Sequence, residues 1–518
     1  MSVRKIHLAA AVLAIVAGGC DVVLGLEHRD LFQPDGGAGS TTSTSSSGGP
    51  TCSDGMKNDV ETDKDCGGGT CDPCQNGEGC IVGPDCLSKQ CQGGTCVAFS
   101  CTDKVKNGSE TDVDCGGGTC DRCVIGKSCL IGSDCSSDIC KANVCRDPHV
   151  WSESFEPTGP AIVTDVAVDG SGNIGLAVDL GGIVDFGNGP LAKQGDSDDI
   201  VIAKLDSLGK PIWSASFGDL SPQSIAGIAF DSAGQMVVAG TLSGTINFGD
   251  GPIMSTGGCC PASPDILVAK LDASGLPVWS KSFGDSSPQR AMGIALDNKG
   301  SVFVTGSLQN SVDFGTGGKL TSAGSTDVFV AKLDAAGSGV WSKSYGDAGG
   351  MQNGERIAAD SSGNVIVAGA FKGTLDFGLG GKRTSNGGFD IFVAKLDSNG
   401  NPLWSISYGG SGDETSPDVA VDSSGDVFIA SAFGGTVSLG GGPLKSAGAS
   451  DFLLAKLDSD GKHLWSARFG DAKDQVINSG PRISVDSAGD VASQFRVPRT
   501  SSSQVTLRGR STSEARRS

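Results

Sequence analysis

All six tryptophans of this chain occupy one position of a repeat: Trp151, Trp213, Trp279, Trp341, Trp404 and Trp465, spaced by 62, 66, 62, 63 and 61 residues. A fixed period of that length means one supersecondary unit per copy, stacked on its neighbours. Each Trp opens a variant of Trp-Ser-x-Ser/Arg-Phe/Tyr. Before five of them stands Asp, three apolar residues and Ala-Lys-Leu-Asp, marking Lys204, Lys270, Lys332, Lys395 and Lys456. A third phrase is a short apolar run, Asp-x-x-Gly and a second apolar run, with turns at 169–172, 231–234, 297–300, 360–363, 422–425 and 486–489.

Asp at the first position of a type I turn bonds the backbone two residues on, and Gly at the fourth takes the left-handed conformation. Each such turn between apolar runs is a hairpin. The Asp-x-x-Gly after each Ala-Lys-Leu is a second hairpin, leading into the Trp strand. Two hairpins give four strands per copy. The runs are β-branched and nearly continuous in apolar character, as in Asp390-Ile391-Phe392-Val393-Ala394, which fits sheets covered on both faces. Glycine at 81 of 518 residues argues against long helices. Four-stranded sheets repeated radially make a β-propeller, so the expected fold is all-β, with six to seven blades and an incomplete last one.

The run D-φφφ-AKLD-x-x-G-x-x-x-W-S-x-S-[FY]-G resembles the SBBP repeat of bacterial surface proteins over about residues 150–495. That resemblance implies a propeller and transfers no catalytic residue. The first Trp strand, 150–155, has no partner before it, and the last first hairpin, 483–495, has none after it. Sharing one final blade between the two would still leave a strand missing. Beyond Phe495 the pattern stops, and residues 496–518 hold six of the fifteen Arg. This segment reads as a basic low-complexity tail or the product of a frameshift or early stop, the abrupt compositional change favouring the second.

Sixteen of the 19 cysteines lie between 52 and 145. Cys52, Cys66, Cys71, Cys74, Cys80, Cys86, Cys91 and Cys96 recur 49 residues later as Cys101, Cys115, Cys120, Cys123, Cys129, Cys135, Cys140 and Cys145. Units this small need covalent staples. In an exported chain the expectation is four disulfides each, with connectivity left open among 105 pairings. Zinc at Cys71-x-x-Cys74 and Cys120-x-x-Cys123 is the competing reading. The alternating carboxylates Glu61, Asp63 and Asp65, repeated as Glu110, Asp112 and Asp114, precede a Gly-Gly-Gly loop and present hard oxygen ligands suited to calcium; as an inert polar turn the same run needs no ion. The pattern C-x-DG-x-KN-x-x-ETD-x-DCGG-x-x-C resembles Cys-rich repeats of myxobacterial surface and secreted proteins, which implies extracellular exposure.

Two motifs are absorbed by the repeat. Gly170-Ser171-Gly172-Asn173-Ile174-Gly175 spells a dinucleotide fingerprint, but a strand follows it where a helix is needed. Asp313-Phe314-Gly315 and Asp376-Phe377-Gly378 recur as a strand end in each blade. Cys259 and Cys260 ride on a loop insertion that lengthens one period to 66. A vicinal disulfide there is similar to that of quinone-dependent dehydrogenases, which are also propellers. Those repeats read T-G-K where this chain has Asn399-Gly400-Asn401, so a structural disulfide is the expectation.

At the N-terminus, Arg4 and Lys5 precede an apolar stretch over residues 8–17, too short to span a bilayer and suited to a signal peptide. Ala17-Gly18-Gly19-Cys20 resembles the bacterial lipobox, which implies cleavage before Cys20 and its lipidation. Residues 34–51 are Gly/Ser/Thr-rich and form a flexible tether. The expected organisation is a signal peptide (1–19), anchor and linker (20–51), two cysteine modules (52–97 and 98–146), propeller repeats (147–495) and tail (496–518). A net charge of −20 disfavours nucleic acid as a partner. The expected role is non-enzymatic binding or scaffolding at the cell envelope, at the outer membrane or cell surface, with polysaccharide or surface proteins as partners and no cofactor beyond calcium. The rival is a propeller enzyme, quinone-dependent or polysaccharide-active.

Overall fold

The computed structural model describes residues 52–57, 61–69, 71–106, 109–146, 152–194, 197–256, 263–472, 480–485, 491–495 and 505–509. Cys20, the apolar stretch 8–17, Trp151 and the Cys259–Cys260 pair lie outside them. The chain divides into two compact units between Trp151 and Ser152, each taken by itself below.

In the first unit all sixteen described cysteines are paired. The bonds are Cys52–Cys71, Cys66–Cys74, Cys80–Cys91 and Cys86–Cys96, then Cys101–Cys120, Cys115–Cys123, Cys129–Cys140 and Cys135–Cys145. Both modules therefore use one connectivity, first to third, second to fourth, fifth to seventh and sixth to eighth. Cystine sulfur fills the interior. The aliphatic side chains of Ile81, Leu87, Leu130 and Ile131 stand exposed. The core is thus covalent rather than apolar.

The second unit is a propeller. Five four-stranded antiparallel sheets follow one another at residues 161–217, 223–283, 289–345, 351–408 and 414–469. Blade four shows the order: an inner strand Met351–Ala359, a second strand Val365–Lys372, a third Asp390–Leu396 and an outer strand Pro402–Tyr408. Second and third strands are buried almost throughout, which is why they read as unbroken apolar runs. Hydrophobic clusters join each blade to the next. A short two-stranded hairpin, such as Thr374–Leu375 with Arg383–Thr384, is inserted between second and third strands. The Asp-Phe-Gly phrase forms its turn: in Asp376-Phe377-Gly378, the Gly378 N–H donates to Asp376 Oδ1 at 2.7 Å.

Blade six has three strands among the described residues: Arg482–Val485, Val491–Phe495 and Val505–Gly509. The third comes from the segment expected to be tail. Its register opposes Val491 with Gly509 and Ala492 with Arg508, as blade five opposes Val427 with Leu457 and Phe428 with Lys456. Main-chain pairing there tolerates loss of the repeat's side chains. Phe155 stacks on Phe186 at 4.7 Å, as Phe217 does on Phe248 at 4.7 Å. The end of the first Trp strand thus holds the place of an outer-strand end next to blade one, while residues 150–151 lie outside the described set.

Candidate functional site

The repeated chemistry-bearing residues meet at the seams between blades. At the end where the inner strand turns into the second strand, Asp-x-x-Gly behaves as expected. Asp360 Oδ1 accepts the N–H groups of Ser362 and Asn364 at 3.0 and 2.9 Å, and Gly363 has φ +79°. Its other oxygen meets a buried lysine. Lys395 Nζ lies 3.1 Å from Asp360 Oδ2, and the pair recurs as Lys204–Asp169, Lys270–Asp231, Lys332–Asp297 and Lys456–Asp422. Burial pushes the Asp360 carboxyl up, but Asn364 and Lys395 outweigh it and leave it below the usual carboxylate range. Asp169, Asp231 and Asp297 are lowered in the same way.

Each of the five described Trp lies opposite that lysine in the strand register, Trp404 facing Lys395. The indole N–H groups of Trp213, Trp279, Trp341 and Trp404 donate to the next blade. Trp341 Nε1 reaches Ser398 O and Trp404 Nε1 reaches Ser459 O, both at 3.0 Å, and Lys332 and Lys395 donate to the same two carbonyls at 3.4 Å. The glycine of the accepting turn packs on the ring: a Cβ on Gly400 (φ +79°) would sit 2.8 Å from Trp341 Cδ2. Asp, Lys, Trp and Gly of the repeat form one clamp between consecutive blades. Sequence reasoning missed it, although a lysine in an apolar run was its signal.

The opposite end of the seams is acidic. Asp199, Asp265, Asp327 and Asp390 open the third strands and are buried, and burial holds each carboxyl above its usual range. One oxygen each of Asp199, Asp265 and Asp327 has no hydrogen-bond partner. Beside them the next inner strand opens with Gln223 or Gln289 or, in blade four, has Gln352 second. Gln223 Nε2 donates to Asp219 Oδ1 at 2.7 Å and to Ser243 O at 2.9 Å. Gln289 donates to Asp285, Gln309 O and Ser311 O, and Gln352 to Asp347, Lys372 O and Thr374 O. In blade five the position is Glu414. Its Oε2 accepts the Gly410 N–H at 2.9 Å, and its buried Oε1 has no partner. A cleft of about 340 Å³ adjoins it, lined by Gly412, Asp413, Thr415, Gly434, Ser450 and Phe452 among others.

On the axis, one inner-strand register position carries Asp165, Gly227, Gly293, Arg356 and Asp418 in successive blades, each just past a bulge. The charged members bridge neighbours. Asp165 Oδ2 accepts the Ile228 N–H at 2.8 Å, Asp418 Oδ2 accepts that of Ile483 at 2.9 Å, and Arg356 Nη1 donates to Met292 O at 2.6 Å. Arg356 Nε lies 3.7 Å from Asp418 Oδ1. Burial pushes Asp418 up to about 6 against the pull of Arg356.

In the cysteine modules the carboxylates singled out for calcium each serve a different turn. Asp63 accepts the N–H groups of Lys64 and Gly79, and Asp65 that of Gly55 at 2.9 Å. Asp112 accepts from Val113 and Ser128, both at 2.6 Å, and Asp114 from Lys104 at 2.8 Å. Glu61 and Glu110 are buried beside Cys71 and Cys120. Among the described residues, every ion-sized grouping of three or more ligating side chains includes cystine sulfur, and none joins Glu61, Asp63 and Asp65. The Cys71-x-x-Cys74 and Cys120-x-x-Cys123 sulfurs are divided between separate disulfides.

No protein-family profile matches the chain. It is 27% identical over 169 residues to the regulatory protein FlaEY of Caulobacter vibrioides, covering 31% of this chain and 17% of that protein. It is 26% identical over 214 residues to an uncharacterized WD repeat-containing protein of Acanthamoeba polyphaga mimivirus, covering 34% and 15%. The chain thus spans about a sixth of either relative's length. Similar solved structures include a protein of unknown function from Dyadobacter fermentans, at 12% identity and TM-score 0.34 over 68% of this chain and 97% of that one. Another is the WD40 domain of Neurospora crassa Pan2, at 11% and 0.30 over 65% and 86%. The propeller assignment rests on the sheets themselves.

Proposed function

We propose that the protein is a lipid-anchored component of the bacterial cell envelope whose propeller binds or scaffolds surface partners without catalysing a reaction. The observation that supports this best is the complete pairing of sixteen cysteines into eight disulfides, a chemistry suited to an oxidising compartment outside the cytosol. The lipobox-like Ala17-Gly18-Gly19-Cys20 and the polar tether supply the anchor in this reading. The repeat's Asp, Lys and Trp are engaged in blade-to-blade clamps, so the loops that vary between copies are left to meet a partner, surface polysaccharide or a neighbouring surface protein. Protease shaving of intact cells, combined with labelling by a radioactive fatty acid, tests it. Expected are release of a propeller fragment and label on the wild type that Cys20→Ser abolishes. Equal labelling of the two, or a propeller protected until the cytoplasm is opened, overturns it.

A further inference from the structure

We propose that Glu414 is a protonation latch: as a neutral carboxylic acid it donates its one proton to the carbonyl of Gly434 or Thr436, and its ionisation loosens the loops walling the cleft beside blade five. The seams align in register, Gln223, Gln289, Gln352 and Glu414 standing opposite Leu242, Leu308, Phe371 and Phe433. In three of them an amide stands at this position and its –NH2 does two jobs, reaching the aspartate of the preceding loop and one or two carbonyls at or just beyond the end of the second strand. Those carbonyls belong to Ser243, to Gln309 and Ser311, and to Lys372 and Thr374. The equivalents in blade five are Gly434 and Thr436, one and three residues after the strand end at Phe433.

An ionised carboxylate has no proton to give and would present a buried oxygen to carbonyl oxygens; a carboxylic acid, with one O–H, restores one of the amide's donations. Glu414 is fully buried, and its Oε1 is the atom left without a partner. The loop changes with it. Gly410 stands where the other seams have Asp219, Asp285 and Asp347, and its N–H, rather than a side chain, bonds Oε2. The charged groups facing Glu414 are Asp390 on the third strand of blade four and Asp413 on the preceding loop, both carboxylates. Neither favours its ionisation. Burial, then these two neighbours, push its carboxyl up to about 7 despite the Gly410 N–H. Gly412, Asp413, Gly434 and Gly435 wall the cleft, so the proton sits between the latch and a candidate binding surface.

The test is amide exchange of the full chain at residues 434–436 between pH 5 and 8, corrected for intrinsic rates, in wild type and Glu414→Gln. A group that titrates near 7 when closed and near 4.5 when open predicts protection falling roughly tenfold per pH unit from about 5 to 7, then levelling. Glu414→Gln should hold protection constant across that range and resemble the other seams. A wild-type profile without pH dependence overturns the latch, as does a fall that Glu414→Gln retains. Protection restored at pH 8 by millimolar calcium and removed by chelator would place a cation where the proton is proposed, and would also overturn it. Should Glu414→Gln misfold, the carboxyl's own titration by infrared or carbon-13 shift decides: a midpoint near 4.5 defeats the proposal.

Discussion

The two units solve the problem of a stable interior in opposite ways. Each cysteine module builds its core from four cystines and leaves aliphatic side chains such as Ile81 and Leu130 in solvent, at 80% and 76% exposure. The propeller has no described disulfide and buries whole strands, Asp390–Leu396 among them. Carboxylates follow the same division. In the modules the aspartates, from half-buried Asp65 to buried Asp85 and Asp134, accept backbone N–H groups, which hold turns that have no sheet around them. In the propeller seams they are buried and paired with lysine at one end. At the other, Asp199, Asp265, Asp327 and Asp390 are given backbone N–H donors but no cation partner, with one oxygen of each of the first three left unpartnered. A short chain with little apolar area substitutes covalent bonds for burial. A long repeat uses burial and must then find partners for every charge it takes inside.

Reduction should separate the two most completely. Loops of 8 to 19 residues are closed by each module's disulfides, and removing one native disulfide from a small domain typically costs about 2–5 kcal/mol. Losing all four exceeds any stability a 45-residue unit could have. With excess reductant, exchange protection should vanish throughout 52–146 while the propeller strands keep theirs. Retained protection in the modules would mean that their polar turns, not cystine, carry the fold.

Within the propeller the largest single effect should come from stranding a buried charge. Lys395→Ala leaves Asp360 without its cation at a site where both side chains are 6% exposed, a change that costs about 3–5 kcal/mol. It also removes the bond to Ser459 O in the next blade. Chemical denaturation of the wild type, Lys395→Ala and the double variant with Asp360→Asn measures it. The double variant should recover much of the loss, because no charge is then left unpaired. If Lys395→Ala costs under about 1 kcal/mol, the clamp contributes no more than an exposed ion pair.

Much of this contrast is written in the residues. Turn chemistry placed both hairpins of each blade, since Asp-x-x-Gly needs a side-chain acceptor and a left-handed glycine at set positions. The duplicated cysteine register marked two disulfide modules. Disulfide connectivity was not legible, because it depends on which sulfurs the chain brings together in space. The Lys395–Asp360 pair lies 35 positions apart across two strands, beyond the reach of local pattern. Periodicity also had nothing to say about 505–509, whose pairing is main-chain. Glu414 was visible in principle as the acid replacing Gln223, Gln289 and Gln352 in the aligned copies. What that exchange does required knowing which carbonyls the amides meet.

The smallest effect, because contributions of opposite sign overlap within the propeller, is the response to pH: above about pH 4.5 the modules should not respond while the propeller loses stability, and below about pH 4 the modules lose it. In the modules the Ser128 N–H holds Asp112 at about 2, and the Gly79 N–H holds Asp63 below its ordinary 3.8. Carboxyls lowered by folding stabilise fully above their unfolded value and lose that contribution as pH falls through the folded one. Module protection should therefore be flat from pH 4.5 to 8 and fall only below about 4. In the propeller, burial raises Asp418 to about 6 and Asp179 and Glu355 to about 7. Carboxyls raised by folding favour the folded state below their unfolded value and lose that advantage as pH climbs through the folded one. The lysine-paired aspartates act the other way below about pH 4. The propeller should accordingly be most stable near pH 4 to 5.5 and lose stability toward pH 8. Denaturation midpoints of the intact protein, read by exchange in each unit at pH 3, 5 and 8, check both halves. A propeller more stable at pH 8 than at pH 5 would mean that its buried acids are ionised and find partners on folding, so that the two units handle carboxylates alike.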